Sequence, residues 1–121
     1  MAKSILIVDD DEMVRLALCE LLKPEGYEID TATGGRDALD KINDKKYDLL
    51  MLDIIMPEMD GLELCRRIRL IEEYHDTPIV FLTAKSREND RTMGIDAGAN
   101  QFLSKPISPE KLLEILSEII I

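Results

Sequence analysis

Short apolar runs divide a chain that is otherwise rich in charge. Three of them are continuous rather than alternating: ILIV at 5–8, LLML at 49–52 and IVFL at 79–82. Continuous runs of this length are typical of strands that are buried on both faces of a parallel sheet. A weaker run, QFLS at 101–104, follows a Gly-Ala-Asn turn, and the alternating YEIDTA at 27–32 predicts a half-exposed edge strand.

Apolar residues at helical spacing fill the segments between these strands. Asp60, with Glu63 three residues later, predicts the start of a helix that carries Leu64, Ile68 and Ile71. Ser108-Pro109 predicts the start of the last helix, whose stripe is Leu112, Ile115, Leu116 and Ile119. Similar spacing follows the first two strands, over 14–22 and 38–42.

The helix between the fourth and fifth strands is expected to be the most weakly held. Residues 86–98 offer only Met93, Ile95 and Ala97 as apolar anchors, and Gly94 interrupts them. Glycine inside a helix costs about 1 kcal/mol relative to alanine.

Strand and helix alternate along the chain without a linker, which predicts an α/β fold. Such alternation gives a parallel sheet with right-handed crossovers and helices on both faces. We expect residues 1–121 to form one domain, since a chain of this size buries roughly two-thirds of its unfolded surface. Ligands of these sheets bind beyond the carboxyl ends of the strands.

Polar side chains follow four of the predicted strands at that edge. They are Asp9 and Asp10, Asp53, Thr83 and Lys105. Clustered carboxylates without histidine or cysteine favour Mg²⁺ or a relative such as Mn²⁺. An ammonium and a hydroxyl beside them suit a phosphoryl group, and a carboxylate can itself become the phosphorylated nucleophile. Asp53, which ends the central strand, is the natural candidate, whereas Asp11 and Glu12 are interpreted as helix-start residues.

Composition excludes several other functions. A net charge of −10 argues against direct binding of nucleic acid, and the basic RRIR at 66–69 is interpreted as a solvated helix face. The single histidine, His75, is predicted in a surface loop, and Cys19 and Cys65 are interpreted as small buried thiols. No apolar run approaches the roughly 20 residues of a membrane span, and no signal-peptide pattern precedes the first strand, which predicts a cytoplasmic protein with no membrane partner.

The motifs VDDD, LDIIMPEMDG, FLTA and LSKP, in this order, resemble the receiver (CheY-like) domain of bacterial two-component response regulators. The resemblance implies a flavodoxin-like, doubly wound five-stranded sheet of order 2-1-3-4-5. It also implies a phosphorylation-dependent signalling switch. Such a domain is not an enzyme in the usual sense, because it catalyses only its own aspartyl phosphorylation and dephosphorylation.

The resemblance assigns a role to each matching position. Asp53 would be the phosphoacceptor, and Thr83 and Lys105 would contact the phosphoryl oxygens. Asp10, Asp53 and the backbone carbonyl of Ile55 would bind Mg²⁺ directly, with Asp9 acting mainly through water. Ile55 and Lys85 would tune dephosphorylation, and Thr83 and Phe102 would form the switch pair. The resemblance also implies that the Lys105–Pro106 peptide bond is cis. Phe102 lacks the hydroxyl of the tyrosine common at its position, so its switching would rest on packing alone.

The implied partners are a sensor histidine kinase or histidine phosphotransfer protein as donor, and an effector protein or effector domain as target. The output face would combine the fourth helix, the fifth strand and the fifth helix. Ile119, Ile120 and Ile121 exceed what one helical stripe can bury, which points to a phosphorylation-dependent homodimer or to a helix that continues into a further domain; fraying of the helix end is the alternative interpretation.

Three other functions fit the sequence less well. A Mg²⁺-dependent phosphatase with an aspartyl nucleophile would need a second acid at position 55, which is Ile55, and a larger chain for a substrate cap. A degenerate receiver that serves only as an interaction module would not need the five strand-end residues. Flavin binding conflicts with carboxylates in the first loop, where a cofactor phosphate would lie.

Overall fold

Five parallel strands form one sheet in the computed structural model, which describes residues 2–120. Their order is β2-β1-β3-β4-β5, which confirms the flavodoxin-like prediction. The bounds are β1 Ser4–Val8, β2 Glu28–Ala32, β3 Leu49–Leu52, β4 Ile79–Thr83 and β5 Gln101–Ser104. The residues of β1, β3 and β4 are all buried, whereas β2 lies at the edge and is only partly covered.

Five α-helices cover both faces of this sheet. They are α1 Glu12–Leu22, α2 Gly35–Asp44, α3 Gly61–Arg69, α4 Glu88–Asp96 and α5 Pro109–Ile119, with short 3-10 helices at Lys23–Glu25 and Glu72–Tyr74. Alternate strand residues point to opposite faces, so the core has two layers. One layer packs Ile5, Ile7 and their neighbours against α1 and α5, and the other packs Leu6, Val8 and their neighbours against α2, α3 and the end of α4.

The helix starts are those that the sequence predicts. The Asp60 carboxylate accepts the backbone N–H of Glu63 at 2.9 Å, and the Ser108 hydroxyl accepts that of Lys111 at 3.2 Å. Asp11 caps α1 by accepting the N–H of Met13 at 2.9 Å. The end of α3 differs from the prediction, because the helix stops at Arg69 and Ile71 lies beyond it, although Ile71 still packs against the core.

The predicted anchors of α4 are largely wrong. Met93 and Ile95 are 39% and 49% exposed, and only Ala97 is buried. The buried residues of this helix are instead Asp90 and Gly94, and a Cβ built on Gly94 would lie 2.8 Å from the Phe102 ring of β5. The glycine that interrupts the apolar pattern is therefore what lets α4 approach β5.

Three minor predictions have mixed outcomes. Cys65 is buried as expected, but Cys19 is only half-buried, and His75 lies in an exposed turn. In the RRIR segment Arg66 and Arg67 are exposed, as a solvated face predicts, whereas Arg69 is partly buried among backbone carbonyls.

Ile119 and Ile120 pack partly against the core layer of α1 and α5, and Ile121 lies outside the described residues. None of the helices in the described part of the chain has the length and apolar character to cross a membrane.

Candidate functional site

The candidate site forms where β1 and β3 run side by side. Val8 pairs with Leu52, so the next residues, Asp9 and Asp53, emerge together at the carboxyl edge. The backbone N–H of Asp53 donates to the Val8 carbonyl at 3.0 Å, which extends the pairing by one step. Both carboxylates therefore leave a rigid sheet rather than a free loop.

Asp9, Asp10 and Asp53 form an acidic cluster. One carboxylate oxygen from each lies within 4.8 Å of the others, with Asp9 and Asp53 buried and Asp10 exposed. Three oxygen ligands, one open to solvent, fit a small hard cation such as Mg²⁺, which takes one or two carboxylates and keeps several waters. The donor set therefore fits the predicted metal.

Lys105 brings a positive charge to this cluster from the end of β5. Its Nζ donates to Asp9 Oδ2 at 2.9 Å and to Asp53 Oδ2 at 3.3 Å. Its backbone N–H also donates to the Thr83 carbonyl at 2.8 Å, and the Lys105–Pro106 peptide bond is cis, as the resemblance implies.

Burial and charge act against each other on these side chains. Burial raises the pKa of Asp9, and the hydrogen bond from Lys105 only partly opposes it. Burial alone would lower the pKa of Lys105, but the hydrogen bond to Asp9 and the charge of Asp53 outweigh it and raise that pKa. Lys105 is therefore held as an ammonium beside Asp53.

Two loops complete the site. The backbone N–H of Ile55 donates to Asp53 Oδ1 at 3.3 Å, while Ile55 as a whole is 57% exposed. The buried Thr83 hydroxyl accepts the backbone N–H of Lys85 at 3.2 Å, so its own hydrogen can still be donated.

Phe102 lies apart from this cluster, on the face of the sheet that α4 covers. It is buried, with its ring centroid 6.0 Å from that of Phe81 and the Arg91 guanidinium 5.3 Å above it. Of the predicted residues, the structure thus joins Asp9, Asp10, Asp53 and Lys105 directly. It links Thr83, Lys85 and Ile55 to them through loops and keeps Phe102 at a distance.

Two residues that hold the site, Arg15 and Gly61, are not among those that the sequence predicts. Arg15 is the only basic residue of α1, and its Nη1 donates to the Asp9 carbonyl at 2.8 Å, which fixes the acidic loop. Gly61 packs directly on the Asp53 carbonyl. A lone arginine one turn after four acidic residues is a sequence signal that could have indicated the contact of Arg15 with Asp9. The contact of Gly61 with Asp53 has no such signal, because it depends on how the loop after β3 folds back.

Comparisons with known proteins point to one family. The family model described as response regulator receiver domain matches residues 5–117. Response regulator MprA of Mycolicibacterium vanbaalenii is 45% identical over 109 residues, which cover 90% of this chain and 46% of MprA. This chain therefore spans about half the length of the curated relatives it matches.

Solved structures are similar over nearly the whole chain. Chemotaxis protein CheY4 of Vibrio cholerae has a TM-score of 0.94 and 34% identity, with 98% of this chain and 99% of that chain covered. The receiver domain of sensor histidine kinase PA1611 from Pseudomonas aeruginosa has a TM-score of 0.91 and 30% identity, with 99% and 98% covered. That structure contains a magnesium ion coordinated in the active-site cleft.

Proposed function

This chain belongs to the response regulator receiver domain family, and from that membership we propose that Asp53 is the phosphoacceptor of a two-component signalling switch. One observation carries the proposal. The Asp53 carboxylate lies in the acidic cluster and accepts a hydrogen bond from the Lys105 ammonium at 3.3 Å. A nucleophile, a metal-ligand set and a cation for the phosphoryl oxygens thus meet at one edge of the sheet.

The proposed reaction is transfer of a phosphoryl group from a phosphohistidine. A carboxylate oxygen of Asp53 forms a bond to phosphorus while the bond from phosphorus to the donor's imidazole nitrogen breaks. The imidazole keeps the electron pair and later takes a proton. Lys105 and the Thr83 hydroxyl donate hydrogen bonds to the phosphoryl oxygens, whose charge they help to balance.

We assign a cation site to Asp9, Asp10, Asp53 and the backbone carbonyl of Ile55, with Mg²⁺ as the natural ion and Mn²⁺ as an alternative. When bound, this ion neutralises charge between the carboxylates and the phosphoryl oxygens. Lys105 already occupies Asp9 Oδ2 at 2.9 Å, which supports an outer role for Asp9 through water. The similar PA1611 receiver domain contains magnesium in its active-site cleft, which also supports this assignment.

The output is proposed to lie on the face of α4, β5 and α5. A phosphoryl group at Asp53 would draw the Thr83 hydroxyl toward it and loosen the packing of α4, where Gly94 lies close to the Phe102 ring of β5. The resulting population shift would change this face for a partner or for a second copy of the chain. Hydrogen exchange and sedimentation of phosphorylated protein test this, and changes confined to residues 27–44 would contradict it.

Several finer properties belong to the same proposal. The donor is a sensor histidine kinase or a histidine phosphotransfer protein, and the target is an effector protein or effector domain. Residues 1–121 act as one receiver domain in the cytoplasm, with no direct contact to nucleic acid. The chain catalyses only its own phosphorylation and dephosphorylation, with Ile55 and Lys85 tuning the second reaction.

Mapping of the modified residue tests the function. We expect acetyl phosphate with Mg²⁺ to add one phosphoryl group to the wild-type protein and none to Asp53→Asn, as seen by intact mass and peptide mapping. Asp40→Asn is the control, because it removes an exposed carboxylate of α2 outside the site. Phosphorylation of Asp53→Asn at the wild-type rate would exclude Asp53 as the acceptor.

A further inference from the structure

The loop between β4 and α4 is held at both ends by a polar contact. At its start the backbone N–H of Lys85 donates to the Thr83 hydroxyl at 3.2 Å. At its end the Asp90 carboxylate accepts the backbone N–H of Arg87 through Oδ2 at 3.1 Å. The other oxygen of Asp90, Oδ1, lies 3.9 Å from the Lys85 ammonium. One carboxylate therefore both caps α4 and pairs with the side chain that begins the loop.

The two partners of this ion pair differ in exposure to solvent. The Asp90 side chain is only 9% exposed and is fixed by the Arg87 N–H, whereas the Lys85 side chain is 51% exposed. A lysine ammonium on a flexible four-carbon stem readily changes partner. Asp90 is thus a fixed charge, and Lys85 is free to move if a stronger anion comes within reach.

A cavity of about 970 Å³ lies beside this ion pair. Lys85 and Asp90 line it together with Ile55. The backbone N–H of Ile55 donates to Asp53 Oδ1 at 3.3 Å, so Ile55 links the wall of this cavity to the Asp53 carboxylate. The Lys85 ammonium therefore pairs with an anion on α4 and lines the same cavity as Ile55, whose backbone is hydrogen-bonded to the carboxylate where a second anion would form.

We propose that Asp90 is a positioning residue that holds Lys85 toward α4 until a phosphoryl group forms at Asp53. This inference rests on the proposed function of Asp53. A phosphoryl group carries close to two negative charges, more than one carboxylate, and competes for the ammonium. When Lys85 turns to it, the first turn of α4 loses its ion pair, so occupancy of Asp53 is transmitted to that helix by a route that does not involve Phe102.

Removal of the Asp90 charge tests the proposal. Asp90→Asn keeps an oxygen that can accept the Arg87 N–H but frees Lys85 to attract an anionic phosphodonor. At low ionic strength we expect phosphorylation by acetyl phosphate to be about two- to fivefold faster, as for the loss of one ion pair whose lysine is half exposed. The gain should shrink at high salt, where charges are screened.

Two further variants separate positioning from capping. In a Lys85→Met background, Asp90→Asn should not change the phosphorylation rate, because no Lys85 ammonium remains for this substitution to free. Glu88→Gln is the matched control, since it removes one exposed charge from the same helical turn but lines a different cavity, and its rate should equal that of the wild type. The melting temperatures of all variants show separately whether the cap that Asp90 provides at the start of α4 is kept.

Each outcome decides the inference. An equal gain with and without Lys85, or an equal gain for Glu88→Gln, would overturn it and leave only a general charge effect. If the wild type is phosphorylated and Asp90→Asn has the same rate, this inference falls while the proposed function stands. If the wild-type protein accepts no phosphoryl group at all, both fall.

Discussion

A Cβ atom built on Gly61 would lie 2.0 Å from the backbone carbonyl oxygen of Asp53. The backbone N–H of Gly61 also donates to the Ile54 carbonyl at 2.8 Å, so the start of α3 folds directly onto the end of β3. Glycine is required here by close approach of two backbones, not by an unusual φ angle. The first residue of α3 therefore controls the placement of the candidate phosphoacceptor.

We expect Gly61→Ala to move Asp53 and to destabilise the fold. The obstructing atom belongs to the backbone and cannot rotate away, so a loss of about 1–3 kcal/mol in unfolding free energy is expected. The displaced carboxylate should lower the phosphorylation rate by about tenfold or more. Urea denaturation and acetyl phosphate kinetics measure the two effects.

Gly34→Ala is the control for this change, because a Cβ at Gly34 would meet nothing within 4 Å. It should cost less than about 1 kcal/mol, as expected for alanine at a helix N-cap. Equal losses for the two variants would show that the contact of Gly61 with Asp53 is unimportant.

Mg²⁺ should stabilise the folded protein, because it relieves repulsion among Asp9, Asp10 and Asp53. Binding to the folded state alone adds about 2.7 kcal/mol at a hundredfold excess over the dissociation constant. The melting temperature should rise with Mg²⁺ relative to chelator at matched ionic strength. Asp10→Asn should need more Mg²⁺ for the same rise, whereas Asp40→Asn should behave as the wild type.

Lys105→Met should be most harmful when no cation is present. The variant leaves the buried Asp9 and Asp53 without their ammonium. We expect a loss of about 2 kcal/mol in chelator, less than for a fully buried pair because the Lys105 side chain is itself 23% exposed. Mg²⁺ should recover part of this loss. Lys111→Met, on the exposed side of α5, is the control. An identical loss for Lys105→Met with and without Mg²⁺ would contradict the idea that the ammonium and the cation neutralise the same carboxylates.

The sequence predicts the strands, the helix starts and the acidic edge because each depends on local pattern. Asp60 and Ser108 cap helices through neighbours three residues away, and Asp9 and Asp53 follow strands that the apolar runs identify. The anchoring of α4 depends instead on a distant strand. Met93 and Ile95 are apolar but exposed, since it is Gly94 that meets the Phe102 ring. No local pattern contains that contact.

Arg69 is a second case in which distant contacts override local pattern. Its guanidinium donates to the carbonyls of Tyr74 and Thr77 at 2.7 Å, to that of Gly98 at 2.9 Å and to the Asn100 side chain at 2.9 Å. A charge cluster on a helix predicts a solvated face, and the acceptors that change this prediction lie up to 31 residues away.

We expect Arg69→Met to lower the unfolding free energy by about 2–3 kcal/mol, because it leaves these partly buried acceptors without a donor. Arg66→Met is the matched control on the same helix, since Arg66 is exposed and pairs with Glu63 at 3.6 Å. It should cost less than about 1 kcal/mol. Urea denaturation compares the two, and similar losses would mean that the Arg69 contacts carry no special weight.

The hydrogen bond between Tyr47 and Asp30 should make stability depend on acid pH. The Tyr47 hydroxyl donates to Asp30 Oδ2 at 2.7 Å, and Lys45 pairs with the same oxygen at 3.2 Å. The Tyr47 hydrogen bond, together with Lys45, lowers the pKa of Asp30 below its ordinary value of 3.8. Stability from this carboxylate is therefore fully present above the ordinary pKa and is lost as the pH falls through the lower, folded value.

Tyr47→Phe should cost about 1 kcal/mol at pH 7, a reduced value because Asp30 is partly exposed. The difference from wild type should narrow as the pH falls below about 4, since protonation weakens the wild-type bond. Tyr27→Phe removes a hydroxyl for which the described residues offer no hydrogen-bond partner, and its small effect should not change with pH. Urea denaturation between pH 2.5 and 7 would measure both differences, to within about 0.5 kcal/mol. A constant difference for Tyr47→Phe across this range would show that the hydroxyl does not act through the Asp30 charge.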